Sequence, residues 1–312
     1  MDNFIFSLNV VLPLVLLMLI GVFLRKIKIF DEFFLNKLSI FIFKVSMPFL
    51  LFNNIYTGKI SDTVDPYFVI LALILVLGTI GILIMVIPKY VKENRNRGVL
   101  IQGLYRSNFI LFGIPLSVNI FGDEGLAAVT TLVAIIIPVY NFAAVIVLDL
   151  FTDHRQNYKE TAVSILKNPL IIGTLLGILT SVFQIKLPAV LDKTIADIAK
   201  TATPMALMAL GGEIEINNIW KNIKYLILVS AGKLFIIPAV TILIAFFLGY
   251  RGAELCAFLC MMAPSTAVSS YTMAQQYDCN HELAGQIVFF TTIISPFSIF
   301  LFVFMLKTTG LF

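Results

Sequence analysis

The run LALILVLGTIGILIMVIP, residues 71–88, has no charged or amide side chain. A helix that long and that apolar crosses most of the roughly 30 Å hydrocarbon core of a bilayer. Comparable runs recur near residues 4–24, 33–56, 67–87, 99–121, 125–150, 169–185, 188–211, 223–249, 253–276 and 282–306, which predicts ten spans. Composition agrees: 59% of the 312 residues are hydrophobic, 13% are charged, and mean hydropathy is +0.98. Soluble domains hold only about 45–50% apolar residues, so the expected class is an all-α polytopic membrane protein. The first run has no basic leader before it and is read as a span, not a cleaved signal. Cys256, Cys260 and Cys279 have no metal-ligand spacing and read as small apolar fillers.

Basic residues fix an expected orientation. Arg25, Lys26, Lys28, Lys89, Lys92, Arg95, Arg97, Arg155, Lys159, Lys167, Lys221 and Lys224 follow the odd-numbered spans, while Lys59, Lys186, Lys193, Arg251 and Lys307 lie opposite. The excess of Lys and Arg marks the cytoplasmic side, so an integral inner (plasma) membrane protein with both termini extracytoplasmic is expected. Residues 152–168 form the one sizeable connection, expected as a short interfacial helix. The acids nearest a membrane centre are few: Asp197 is the deepest, while Asp149, Glu213, Glu215 and Glu254 fall toward the ends of spans.

The two halves share punctuation. Pro13 and Pro169, Gly21 and Gly177, Lys44 and Lys200, and Pro48 and Pro204 are each 156 positions apart. Gly78 and Gly232 follow at 154, Leu126 and Leu283 at 157, and Pro138 and Pro296 at 158. An odd number of spans reverses the chain, so a repeated five-helix unit is an inverted-topology repeat. Residues 1–151 are then the first repeat, 152–168 the cytoplasmic connector and 169–312 the second repeat.

Spans four and nine break the apolar rule in corresponding places. LYRSNFILFGIPLSVNIFGDEG, residues 104–125, carries Arg106, Asn108 and a Gly113-Ile114-Pro115 break, and its counterpart carries Pro264, Ser265 and Thr266. A proline inside a helix removes a backbone donor and clashes with the preceding turn, so each span is expected to divide near its proline. Two half-helices meeting near the midplane would aim free N–H groups and positive dipole ends at an anion. Gly113 would allow close approach, Ser265 and Thr266 would add hydroxyl donors, and Asn108 would sit about two turns from the break, where its amide could meet a carboxylate or simply bond between helices. Lys44, Arg106, Lys200 and Lys233 also lie far from span ends. Each costs roughly 2.5–3.5 kcal/mol at a membrane centre and should serve a substrate, an acid such as Asp197, a helix-terminal carbonyl, or a snorkelling path.

These motifs resemble the auxin efflux carrier family, which includes bacterial malonate carriers and plant PIN-type carriers. The resemblance rests on LSIFIFKVSMPFLLF, SNFILFGIPL followed by FGDEGLA, TPMALMALGGEI, and MMAPSTAVSSYTMAQQYDCNHELA leading to TTIISP. It implies ten spans in two inverted repeats, two crossing broken helices, a scaffold of spans one, two, six and seven that also forms a homodimer face, and a moving transport unit. It also implies that Asn108 contacts a substrate carboxylate. The expected function is secondary transport of small organic anions, mono- or dicarboxylates of auxin or malonate type, by elevator-like alternating access. The expected site is Asn108, Gly113, Pro115, Pro264, Ser265, Thr266, Arg106, Lys44 and Lys200. No cofactor, metal, covalent chemistry or nucleic acid is implied; the partners are the substrate, the bilayer and a second copy. A sodium- or proton-coupled antiporter of the same fold is the nearest alternative, and a membrane receptor the alternative outside transport.

The orientation is testable by labelling. In a cysteine-free background, a cysteine at Arg95 or Lys159 should resist impermeant thiol reagents in whole cells, while one at Lys186 should react. The reverse pattern inverts the topology.

Overall fold

The protein is described by a computed structural model covering residues 2–58, 65–152, 167–213 and 219–312. Lys59, Arg155, Lys159, Glu215 and most of the expected connector lie outside the described residues. Among the described residues all regular structure is helical, and five stretches are long and apolar enough to cross a membrane: Glu32–Tyr56, Pro66–Tyr90, Phe109–Leu150, Ile219–Phe247 and His281–Thr308.

The helices are α1 (Asp2–Lys26), α2 (Glu32–Phe41), α3 (Met47–Tyr56), α4 (Pro66–Tyr90), α5 (Asn94–Tyr105), α6 (Phe109–Leu150), α7 (Pro169–Val182), α8 (Ala189–Glu213), α9 (Ile219–Ala231), α10 (Ile237–Phe247), α11 (Gly252–Met262), α12 (Ser269–Gln276) and α13 (His281–Thr308). Their starts reflect local chemistry. Asp65 and Asn168 each accept a bond from an early helix N–H, and each precedes a proline that fits the first helical position. Asn280 accepts from Leu283 N–H in the same way at the start of α13. Within α6 the chain reverses at Gly122, whose φ is 57°. The two arms close on each other there, with Ser117 Oγ donating to the Gly125 carbonyl at 3.0 Å.

Two widened turns join helices that would otherwise be continuous. The π-turn Ile42–Ser46 links α2 to α3, and the π-turn Gly232–Ile236 links α9 to α10. Each ends just before a proline, Pro48 or Pro238. A proline ring crowds the carbonyl four residues back, here Lys44 and Leu234. A turn closed from i to i+5 relieves that crowding: Met47 N–H donates to Ile42 O, and Ile237 N–H to Gly232 O.

Packing is set by small residues, as between membrane helices generally. A Cβ on Gly21 of α1 would collide with the Met208 carbonyl of α8, and one on Gly211 of α8 would collide with the Met18 carbonyl of α1. On the other side, a Cβ on Gly177 of α7 would come within 3.1 Å of the Phe52 carbonyl of α3. Gly21 and Gly177 are 156 positions apart, and so are Phe52 and Met208, so the same close approach is made twice, once by each half of the chain. Between these pairs Ser46 Oγ and Thr201 Oγ1 lie 3.1 Å apart. Among the remaining elements α6 packs along α11, α4 lies against α5 and α6, and α13 lies against α1, α9 and α12.

Close approach makes Gly211 intolerant of added volume. Gly211→Ala should destabilise the purified protein by about 1–3 kcal/mol through overpacking. Gly78→Ala, where a Cβ meets nothing within 4 Å, should be neutral or mildly stabilising. Thermal melting in detergent checks both; equal melting temperatures for the two variants would remove the glycine seam as the organising contact.

Candidate functional site

The chain leaves helical geometry between α5 and α6 and again between α11 and α12, and these two gaps meet. One lies between Tyr105, the last residue of α5, and Phe109, the first of α6; the other lies between Met262 of α11 and Ser269 of α12. There Ser107 and Thr266 form a single antiparallel bridge. Asn108 N–H donates to Ser265 O at 2.8 Å and Ala267 N–H to Arg106 O at 3.4 Å. Side chains complete the junction: Thr266 Oγ1 donates to Gly103 O at 2.7 Å, Ser107 Oγ to Pro264 O at 3.4 Å, and Tyr140 Oη to Met261 O at 3.0 Å. Backbone that has lost its helical partners in an apolar interior is thus paired across the crossing.

A cavity of about 110 Å³ opens on this junction. Its walls include Arg106, Asn108, Tyr140 and Asn141, the first turn of α6, and Asn54 and Thr203 from α3 and α8. Asn108 is the N-cap residue of α6, with φ −79° and ψ 55°, and its side chain makes no capping bond. Its Nδ2 is buried without a partner, as is that of Asn141. The first intrahelical bond of α6 runs from Phe112 N–H to Asn108 O, so the N–H groups of residues 109–111 have no partner within the helix. Arg106, 3% exposed, donates to Gln102 Oε1 and to Asn141 Oδ1 and touches the sulfur of Met273. Unpartnered amides, a helix N-terminus and a guanidinium therefore lie around one small cavity, an arrangement chemically suited to an oxyanion.

Several expected positions differ from those observed. The first break falls at residues 106–108 and not at Pro115, which lies inside α6. Pairing of Ser107 with Thr266 sets the break, and the ring of Pro115 only releases the Leu111 carbonyl. Asn108 accordingly stands at the break itself, not two turns from it. Pro264 does lie in its gap. Gly113 serves helix packing instead of ligand approach, because a Cβ there would meet the Phe109 ring at 2.6 Å and Cys260 Cβ at 3.1 Å. Ser265 and Thr266 are fully buried and do not line the cavity; Ser265 Oγ has no partner, and Thr266 Oγ1 is committed to Gly103.

Lys44 and Lys200 are not brought to the crossing. Both are exposed, Lys44 beside an apolar groove with Pro48 and Phe52, and Lys200 paired with Asp197 at 3.2 Å. Asp197 is therefore not the partner of Arg106. Sequence reading passed over Asn54, Asn141 and Thr203. The signal was present for Asn141, an amide two residues before the small pair Ala143-Ala144 in an otherwise apolar run, but nothing in a linear pattern says which face of that helix meets the break.

A family profile described as membrane transport protein matches residues 6–162 and 154–303. An uncharacterized transporter of Methanocaldococcus jannaschii is 24% identical over 304 residues, covering 92% of this chain and 95% of its own. An uncharacterized transporter of Methanothermobacter thermautotrophicus is 23% identical over 304 residues, covering 95% of this chain and 97% of its own.

The two neighbouring hydroxyls at the second gap should separate cleanly. Thr266→Val removes the bond to Gly103 O and should lower stability by about 0.6–1.7 kcal/mol, the range for interhelical bonds in membranes. Ser265→Ala removes a hydroxyl with no partner and should leave the melting temperature unchanged or slightly raised. Equal losses in both would contradict the junction described.

Proposed function

The chain belongs to the membrane transport protein family, the auxin efflux carrier family its motifs resemble, and from that premise we propose that it is a secondary carrier of small organic anions working by alternating access. It is a carrier, not an enzyme, and its substrates are mono- or dicarboxylates. The observation that carries this reading is the unpartnered, buried Asn108 amide at the N-terminus of α6, with Arg106 beside it in the same cavity. Among the described residues no Asp or Glu is buried, and the buried charges are Arg106 and Lys233. An interior with that sign favours a carboxylate as cargo and disfavours the sodium- or proton-coupled antiporter.

The fold read for this function has ten spans in two inverted five-helix repeats, residues 1–151 and 169–312, joined by the connector 152–168. The glycine seams repeated at an offset of 156 support it. In this reading α1, α2, α3, α7 and α8 are the scaffold and the homodimer face, and the remaining helices move as a unit in the elevator manner. The protein sits in the plasma membrane with both termini extracytoplasmic. Two contacts between the proposed scaffold and the proposed moving unit lie at what this topology makes the cytoplasmic ends: Gln275 Nε2 donates to Glu213 Oε1 at 3.2 Å, and Asn168 Nδ2 donates to Tyr277 Oη at 2.6 Å. Burial pushes the Tyr277 phenol up to about 12, so it stays neutral through the physiological range.

Substrate class is tested by thermal stabilisation of the purified protein against a panel of mono- and dicarboxylates. A hydrogen bond to a charged group is worth roughly 1.5–3 kcal/mol, so Asn108→Ala should weaken binding of the stabilising carboxylate about 10- to 150-fold. Its own melting temperature should change little, since the Asn108 side chain makes no capping bond and its Nδ2 has no partner. Binding equal to the parent would reduce Asn108 to a packing residue.

A further inference from the structure

Lys233 is fully buried. It sits in the π-turn Gly232–Ile236, and its Nζ lies 3.4 Å from the carbonyl of Tyr105, the last residue of α5. That carbonyl is at the negative end of a half-helix that stops inside the protein, where the final carbonyls have no following turn to bond. The neighbouring ones are provided for: Gln102 O accepts from Arg106 N–H, and Gly103 O from Thr266 Oγ1. The approach that delivers the lysine is built in. A Cβ on Gly232 would meet Leu104 Cδ2 at 2.6 Å, so the glycine brings the π-turn against the last turn of α5. A membrane-interior lysine ordinarily has an acidic partner or reaches toward the interface. Among the described residues Lys233 has no ion pair, and its full burial shows that it does not reach out.

We propose that Lys233 is a tethered cation of the carrier, a positioning residue whose ammonium neutralises the carbonyl end of α5 and holds the crossing in shape for an anion without any bound metal co-ion. The proposal rests on the anion-carrier reading for its consequence and on the geometry at Tyr105 for its existence. Lys233 does not line the cavity, so it acts on the site through α5 and the residues just after it, Arg106 to Asn108. A metal ion placed at the same end would supply the same sign of charge; a tethered side chain supplies it without requiring any particular metal ion on either side.

The first arm of the test needs no variant. Purified full-length protein is melted, and its affinity for malonate measured, in sodium, potassium and choline chloride at one ionic strength. The expected result is the same melting temperature and the same affinity in all three; a requirement for sodium or potassium overturns the proposal. The second arm compares Lys233→Met, which keeps length without charge, and Lys233→Ser, which leaves room for an ion. In choline chloride both should bind malonate at least about tenfold more weakly than the parent, equivalent to about 1.4 kcal/mol. Sodium should raise the melting temperature of Lys233→Ser and not that of the parent. A Lys233→Met protein as tight-binding as the parent, or a Lys233→Ser protein indifferent to sodium, also overturns it. If the parent binds no malonate, the chosen anion is wrong, while the comparison of melting temperatures across salts still decides the role of Lys233.

Discussion

Backbone polarity in an apolar interior is the constraint on which the structure turns. Opening two helices in the middle of a membrane protein exposes N–H and C=O groups where water is unavailable to satisfy them, at a cost of several kcal/mol each. The chain meets this cost by bringing its two openings together. Ser107 and Thr266 pair as one rung of antiparallel strand, Asn108 N–H reaches Ser265 O, and Thr266, Ser107 and Tyr140 direct hydroxyls at carbonyls. Neither opening could persist alone. The donors left over at the first turn of α6 and on the amides of Asn108 and Asn141 are therefore informative: they belong to residues that line the cavity, while the Ser265 hydroxyl, also without a partner, does not.

The same economy governs the rest of the packing. Lipid tails are as apolar as leucine, so helices in a membrane gain little by merely hiding apolar surface from one another and associate through close approach. Gly21 and Gly211 permit it between α1 and α8, and Gly173 and Gly177 permit it between α3 and α7. The prolines Pro48 and Pro238 add local widening in the form of π-turns, which rotates α3 and α10 relative to α2 and α9 without interrupting either helical run. One of those turns carries Lys44 outward and the other carries Lys233 inward. Two lysines in equally apolar sequence thus meet opposite environments.

That contrast marks the boundary of what the sequence made legible. Class, helix positions and the pairing of two irregular segments came from apolar run lengths and from the spacing of Pro13, Gly21, Pro48 and their partners, because those features act locally or repeat along the chain. That Asn108 belongs to an irregular segment was legible because an amide has no local reason to interrupt SNFILF. The break itself was misplaced by seven residues, from 108 to 115, because proline is the strongest local breaker while the actual break is set by a partner 159 residues away, Thr266 for Ser107. The packing of Gly113 was not legible for a related reason: its neighbour Cys260 belongs to another helix. Lys44 and Lys200 looked interior by depth in their spans, but depth along a helix does not say which face it occupies, and both lie on an outer face.

The charge balance at the crossing gives the site its direction. Arg106 and Lys233 stand on either side of the gap after Tyr105, one neighbouring the cavity and one behind it, and no buried acid among the described residues offsets them. Each contact they make is to a neutral dipole: the Gln102 and Asn141 amides for the guanidinium, the Tyr105 carbonyl for the ammonium. Dipoles stabilise a buried charge only in part, since burial removes more hydration than a few hydrogen bonds return. The crossing is therefore electrostatically incomplete as it stands, and under the proposed function an anion arriving beside Asn108 would complete it. A cation arriving there would add to an excess already present. In a low-dielectric interior a difference in sign is a large energy term, so under the proposed function these two basic side chains would favour an anion over a cation before any substrate atom meets the amide of Asn108.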